Sequence, residues 1–497
     1  MQLLHEIIVL LRYNCSVMNM PIKIGIVLLY MSLAVSGKCA VTLDSCRNMA
    51  IANNKQLRIA NEKVVRAGYQ RKQARASYLP ALDAQASYLY NQKKLSLIEE
   101  DAKLPTMNFD PSTGKYNYNV LTEADGKPVM VNGNPVPSQV ALLPKSALTY
   151  DIHNVFAGAV TITQPVFMGG KIRAMNEITR YAESIAKHER DMAVENVIYD
   201  VDGAYWQVIS LKAKEKLARS YVSLLDTLKS NMMALKEQGM ITQADVLNVA
   251  VKLNEANVDY LRVQNGLSLA RMLLAQLCGL PVTTVLTLED ENLEDFALTD
   301  TPASEYDMAD VWARRHDVQA LELAVNVSEQ KSVAERASML PQLAIVGAYS
   351  VTNPNSFNGF KNKFDGMFSV GAMLSIPIWH WGGNYNKYRE AKSETVIRRL
   401  ELEDVKEKIE LQVSQASFKM QEALRMYSAT RGNLENAQEN LRTAQLGFKE
   451  GVLTADDVMA AQTAWLKANS EVVDAMVDVR MCNVYLNKVV GQLGVKG

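Results

Sequence analysis

Two short segments hold the side chains best placed to do chemistry. Gly239-Met240-Ile241-Thr242-Gln243-Ala244-Asp245 and Gly451-Val452-Leu453-Thr454-Ala455-Asp456-Asp457 share a Gly, a Thr three residues on, and an Asp three residues after that. That pattern supports local chemistry first. Gly supplies the positive φ of a turn between two helices, and Thr with Asp at the third following position resembles a capping box that starts the returning helix. Thr242 and Thr454 therefore read as caps before any contact role, and Asp245 reads equally as a cap or as a contact residue. Asp457, with Asp456 beside it, reads as functional because its segment carries no compensating base. Repeated by symmetry about an axis, such carboxylates would form a ring that attracts cations.

No other segment suggests catalysis. There is no Ser/His/Asp constellation, nucleotide loop or paired-carboxylate site, and Gly169-Gly170-Lys171 lacks the rest of a phosphate loop. The five cysteines (15, 39, 46, 278 and 482) show no CxxC pairing, and the five histidines show no HxxxH spacing. No enzyme, metal site or cofactor is expected. Lys plus Arg number 53 and Asp plus Glu 54, a net charge of −1 that argues against a nucleic-acid partner. At 48% hydrophobic and 22% charged, the composition fits neither a disordered chain nor a helical membrane protein.

Residues 1–40 read as an export signal. The apolar run from Ile24 to Val35 is twelve residues, too short to span a bilayer as a helix, and small and polar residues follow it. Residues 1–17 resemble an upstream extension, with the start at Met18 or Met20. Cys39 raises lipidation as an alternative, but Lys38 stands where a small residue should precede a lipidated Cys, which favours cleavage near Ala40. No later apolar run reaches about 18 residues, so the exported chain is either soluble or enters a membrane as a β-barrel.

The elements that must position the two Gly–Thr–Asp segments are written twice. Ala76-Ser77-Tyr78-Leu79-Pro80-Ala81-Leu82 returns as Ala337-Ser338-Met339-Leu340-Pro341-Gln342-Leu343. Gln164-Pro165-Val166-Phe167 with Gly169-Gly170 returns as Ile376-Pro377-Ile378-Trp379 with Gly382-Gly383, and Gly279 returns as Gly491. The division is residues 41–300 and 301–497, each read as helix, β-hairpin, long helix, turn and helix. After each turn, apolar residues recur in strict heptads: Val246, Leu253, Tyr260, Leu267 and Leu274 with Val249, Ala256, Val263, Ala270 and Leu277, then Val458, Trp465, Val472, Val479 and Leu486 with Ala461, Ala468, Ala475, Cys482 and Val489. That period means a left-handed coiled coil. Lys171–Lys236 and Asn384–Lys449 are each 66 residues without Pro, roughly 100 Å as a helix. Asp44–Tyr78 and Gln243–Ala275, 35 and 33 residues, together match that length.

Between the helices, residues 82–91, 155–164, 343–352 and 367–376 alternate as strands of the length a membrane barrel needs. Pro80, Pro165, Pro341 and Pro377 mark the helix–strand boundaries. Trp379, Trp381 and Phe167 suit an interfacial aromatic girdle or simple packing at the junction. Four strands leave open edges, and three copies would close a twelve-stranded barrel. The first hairpin carries about 49 extra residues, roughly 92–150, rich in Gly, Pro, Asn and Asp, which read as a long extracellular loop.

With these residues in view, the chain resembles the TolC-like outer-membrane factors, the outer membrane efflux protein family, over essentially its whole mature length. The resemblance implies an α+β membrane protein: an obligate trimer whose twelve-stranded transmembrane β-barrel continues into a long periplasmic α-helical, coiled-coil barrel. It implies the outer membrane of a Gram-negative bacterium, contact with its lipid, and a duct for drugs or polypeptides in a tripartite efflux pump or type I secretion system. A periplasmic adaptor and an inner-membrane transporter would be its partners, docking at tips that contain Gly239, Met240, Thr242, Gly451, Val452 and Thr454. Asp457, Asp456, Leu453, Phe448 and Asp245 would form the periplasmic gate. The family's second acidic gate position is Ala460 here, and Phe448 and Leu453 stand where its Tyr and Arg would be. The gate is therefore expected to rely on packing, with weaker cation block. The competing expectation is an exported helical-hairpin scaffold without a pore.

Overall fold

The computed structural model describes residues 40–292 and 306–494. The export signal expected over residues 1–40, with Cys39, lies outside the described residues except for Ala40. The chain divides into two units, one of residues 67–183 and 324–398 and the other of the remainder.

The helices of the first repeat are α1 (Leu43–Asn53), α2 (Lys55–Ala76), α3 (Lys171–Glu237) and α4 (Gln243–Leu277). Those of the second are α5 (Met308–Arg314), α6 (His316–Ala337), α7 (Gly383–Lys449) and α8 (Ala455–Val489). The long helices α3 and α7 are 67 residues each, and α4 and α8 are 35 each. The single helix expected over Asp44–Tyr78 is instead two. Asn54 takes an extended backbone (φ −63°, ψ 128°), and its side-chain carbonyl accepts from the Gln56 N–H at 2.8 Å, capping α2. Arg315 breaks α5 from α6 in the same way (φ −73°, ψ 120°). A close approach accompanies each break. A Cβ on Gly279 would lie 2.4 Å from Cβ of Asn53, and one on Gly491 would lie 3.0 Å from Cβ of Arg314. The two matched glycines each let a backbone press against the end of a short helix.

None of the twenty heptad positions of α4 and α8 is exposed. Most of them join three apolar clusters in the larger unit: one around Cys46, Tyr205 and Leu274, one around Leu225, Val249 and Val458, and one around Val318, Met420 and Leu486. Apolar side chains also remain in the open on the other faces, with Leu247, Val251, Val258 and Leu261 on α4 and Leu411, Phe418 and Met426 on α7.

In the smaller unit, β1 (Ala81–Tyr90), β2 (Asn154–Met168), β3 (Gln342–Asn353) and β4 (Asp365–Ser375) form one antiparallel sheet in that order. The centre of the sheet is the β2–β3 pairing, which joins the two repeats. Register sorts the faces. Leu82, Ile162, Gly347 and Val370 pair in one row, and Ala84, Val160, Tyr349 and Phe368 in another, so these rows are apolar and, apart from Gly347, exposed. Asp83, Thr161, Ala348 and Ser369 pair on the opposite face, with Gln85, Ser87, Thr163, Ser350 and Thr352 beside them. The outer edges of β1 and β4 have no partner strand among the described residues. Pro165 lies inside β2, not at its boundary; the register shifts between Pro165 and Phe167, a bulge that accommodates a residue with no N–H to give.

The insertion within the first hairpin is paired rather than structureless. Residues 95–96 pair with 149–150, 102–105 with 140–143, 107–110 with 115–118, and 130–131 with 134–135.

Candidate functional site: the two helix turns

Both Gly–Thr–Asp segments connect a long helix to its returning partner, and both lie in the larger unit. Each outgoing helix ends in a Schellman turn. Gly239 (φ 75°) donates to the Lys236 carbonyl at 2.8 Å while Met240 reaches the Leu235 carbonyl at 3.0 Å. Gly451 (φ 71°) donates to the Phe448 carbonyl at 3.1 Å and Val452 to that of Gly447 at 2.8 Å. Each return helix starts with a complete capping box. The Asp245 N–H donates to Thr242 Oγ1 at 3.3 Å, and the Thr242 N–H and hydroxyl donate to Asp245 Oδ2 at 2.9 and 2.7 Å. For Thr454 and Asp457 the same three distances are 3.2, 2.9 and 2.7 Å.

Electrostatics follow from this geometry. The hydroxyl and N–H of Thr454 hold the Asp457 carboxyl below the usual aspartate range, and Thr242 does the same for Asp245. The carboxylates of Asp457 and Asp456 are exposed, and Asp245 is half-buried. Asp457 thus keeps its charge while one of its oxygens serves as a cap, so capping and charge presentation coexist in one side chain.

The residues expected to pack at the entrance face inward within the chain. Leu453 folds onto α7, where a Cβ at Gly447 would lie 2.7 Å from Leu453 Cδ1, so only glycine leaves room for it. Leu453 and Phe448 pack, with Ile241, against the cluster that contains Val246, Val458 and Leu441. Met240 and Val452 project from the turns, 69% and 78% exposed. A groove of about 580 Å³ opens beside Phe448, lined by Leu224, Leu228, Asn231, Leu235 and Gln462.

Sequence reasoning missed Gln462. It is 2% exposed on α8, and its Oε1 accepts no hydrogen bond from any described residue. It falls beside a heptad position rather than on one, so periodicity gave no signal. A second omission is the approach of His188 to His316 across 128 positions, with Nδ1 atoms 3.3 Å apart. Donor atoms of His188, Asp191 and His316 all lie within 4.8 Å of one another, the one such group among the described residues. Oδ1 of Asp191 accepts from Arg190 Nε and Nη2 at 2.9 and 2.6 Å, so this carboxylate is already engaged in an ion pair beside the two imidazoles. Burial and the neighbouring His316 hold His188 below its ordinary value.

Comparison with known proteins agrees with this architecture. The family model for outer membrane efflux proteins matches residues 46–280 and 309–492. Outer membrane efflux protein BepC of Brucella suis biovar 1 is 22% identical over 342 residues, covering 67% of this chain and 72% of that protein. Alkaline protease secretion protein AprF of Pseudomonas aeruginosa is 22% identical over 244 residues, 49% of this chain and 50% of AprF. In fold, the chain superposes on the crystal structure of CusC with a TM-score of 0.69 at 16% identity, covering 90% of this chain and 92% of that one.

Proposed function

Because the chain belongs to the outer membrane efflux protein family, a family of transport channels, and lies in the outer membrane of a Gram-negative bacterium, we propose that it is the homotrimeric exit duct of a tripartite efflux pump or a type I secretion system. The observation that carries this reading is the sheet: four strands with two open edges, one face mostly apolar and exposed, the other mostly small or polar apart from Leu89, Met367 and Met373. A sheet of that kind is stable against lipid on one side and water on the other once its edges are paired. Three copies supply twelve strands, and no edge is left over. The uncovered apolar stripes of α4 and α7 support the same association, since helices this long need partners on more than one face. A scaffold without a pore gives the apolar sheet face no role.

In this duct, residues 41–300 and 301–497 are the two repeats, residues 1–40 the export signal, and residues 92–150 the extracellular loop. Trp379 and Trp381 stack edge to face at 5.9 Å just past β4 and are 71% and 88% exposed, which suits a place at the lipid–water interface. The turns holding Gly239, Met240, Thr242, Gly451, Val452 and Thr454 are the docking tips for a periplasmic adaptor that connects to an inner-membrane transporter. Asp457, Asp456 and Asp245 present charge at the gate, and Leu453 and Phe448 hold its packing. The name of BepC associates that protein with efflux and the name of AprF with protease secretion. Drugs or polypeptides are accordingly the cargo, set by the pump the duct serves.

The test is electrophoresis of unheated, outer-membrane-derived protein beside single-channel recording in planar bilayers. A heat-sensitive trimer with cation-selective conductance is expected. A stable folded monomer, or a trimer that conducts nothing under any condition, would overturn the duct.

A further inference from the structure

We propose that Cys46 and Cys278 are joined by a disulfide in the mature protein, closing most of the first repeat into one covalent loop. Cys46 lies on α1 and Cys278 caps the end of α4, 232 positions apart. Both are fully enclosed in the same apolar cluster. The Cys278 thiol donates to the Cys46 carbonyl at 3.7 Å, and both cysteines are free thiols in this structure.

The backbone on either side of the pair is already locked. Cys46, Ala50 and Asn53 follow one another at i, i+4 and i+7, so they share a face of α1. Gly279, the residue after Cys278, presses against Asn53 with no room for a side chain, and the Asn54 amide reaches the Leu277 carbonyl at 3.5 Å. The sulfurs are thus held together by contacts that do not depend on them. Nor does packing require cysteine here. In the second repeat Gly491 makes the equivalent approach to Arg314, and the residue before it is Val490, 1% exposed in a cluster with Val311. An ordinary hydrophobe fills the matching place.

Compartment supplies the oxidant. An outer-membrane protein passes through the periplasm, where thiols meet disulfide donors. One cysteine thiolate attacks a sulfur of the donor's disulfide, forming a mixed disulfide and expelling the donor's other sulfur as thiolate. The second cysteine, having lost its proton, attacks the protein sulfur of that bond. The protein gives up two electrons and two protons, and the donor leaves as a dithiol. Exchange precedes burial: in the folded chain both thiols are closed off, and contact with Cys278 and burial push the Cys46 thiol up. Once formed, the bond is enclosed by the same packing in the folded chain and opens to reductant as the protein melts.

The inference rests on the family assignment and its compartment, not on the duct reading, and its test is independent of conductance. Protein extracted from outer membranes of cells with an intact disulfide-donor system is denatured in iodoacetamide without reductant, digested, and mapped by mass spectrometry. A peptide pair joined through Cys46 and Cys278, unalkylated and two hydrogens lighter than its parts, is expected, with Cys482 alkylated as the internal control. Full alkylation of both Cys46 and Cys278, or linkage of either one to Cys482, would overturn it. A second arm uses thermal melting. Reductant should lower the midpoint of the wild type and leave that of the Cys46→Ala/Cys278→Ala double variant where it is; equal responses in the two would also count against the bond.

Discussion

Arg47 holds Asp202 by a two-pronged ion pair: its Nε and Nη2 donate to Oδ1 and Oδ2 at 2.7 and 2.6 Å, and the carboxylate is wholly enclosed. A third bond from Nη1 to Asp44 at 3.0 Å steadies the guanidinium, and Asp202 raises the Arg47 pKa further above its ordinary value. The pair ties α1 to the middle of α3, one residue along from Cys46.

Arg47→Met should therefore destabilise the protein by about 3–5 kcal/mol, because it leaves a buried charge without a partner. Arg47→Lys should recover only part of the loss, since an ammonium cannot match both carboxylate oxygens at once. Chemical denaturation of the detergent-solubilised protein measures both. A loss under 1 kcal/mol in Arg47→Met would mean that water reaches Asp202.

Ala468 is 2% exposed on the α8 seam. Ala468→Leu should cost ~1–3 kcal/mol by forcing neighbours off their rotamers. An unchanged melting midpoint would show that the seam has slack at this level.

At the second turn, Asp457→Asn and Asp457→Ala separate charge from capping. The amide can still accept from Thr454, whereas alanine removes both functions. If a ring of carboxylates sets ion selectivity, both variants should lose cation selectivity and block by trivalent cations to similar extents in bilayer recordings. If Asp457 only starts α8, Asparagine should behave as wild type. Thr454→Ala should cost ~0.5–2 kcal/mol locally through the lost cap while leaving selectivity in place.

The same two boxes set a pH window. Asp245 and Asp457 have folded-state pKa values depressed below the ordinary 3.8, so their contribution is complete above that value and is lost as pH falls through the lower, folded one. Tip rearrangement on acidification, followed as a rise in resting conductance, should begin only below about pH 3.8. An onset near pH 6 would point to a histidine instead.

The insertion can be shortened at a place its pairing identifies. Thr106 and Gln139 adjoin, with the Thr106 N–H donating to the Gln139 carbonyl at 3.2 Å. Replacing residues 107–138 with Asn-Gly should leave trimer formation on unheated gels intact. A deletion starting at Lys103 would also cut the ladder of 102–105 with 140–143 and should be tolerated less well.

Much of this protein was legible from one dimension because its long elements are periodic. The duplicated landmarks, the heptads of α4 and α8, and the Pro-free runs of α3 and α7 specify helix lengths and turns through near-neighbour rules, and each capping box spans only four residues. Tertiary structure decided what depends on contacts between distant positions. The break at Asn54 lies where Gly279 arrives, and the bulge at Pro165 lies where β2 pairs with β3. The pairs Arg47–Asp202, His188–His316 and Cys46–Cys278 span 155, 128 and 232 positions. No spacing rule reaches across such separations, because what brings each pair together is the packing of α1, α3, α4 and the start of α6. That packing is the joint outcome of many apolar side chains, and no single motif writes it.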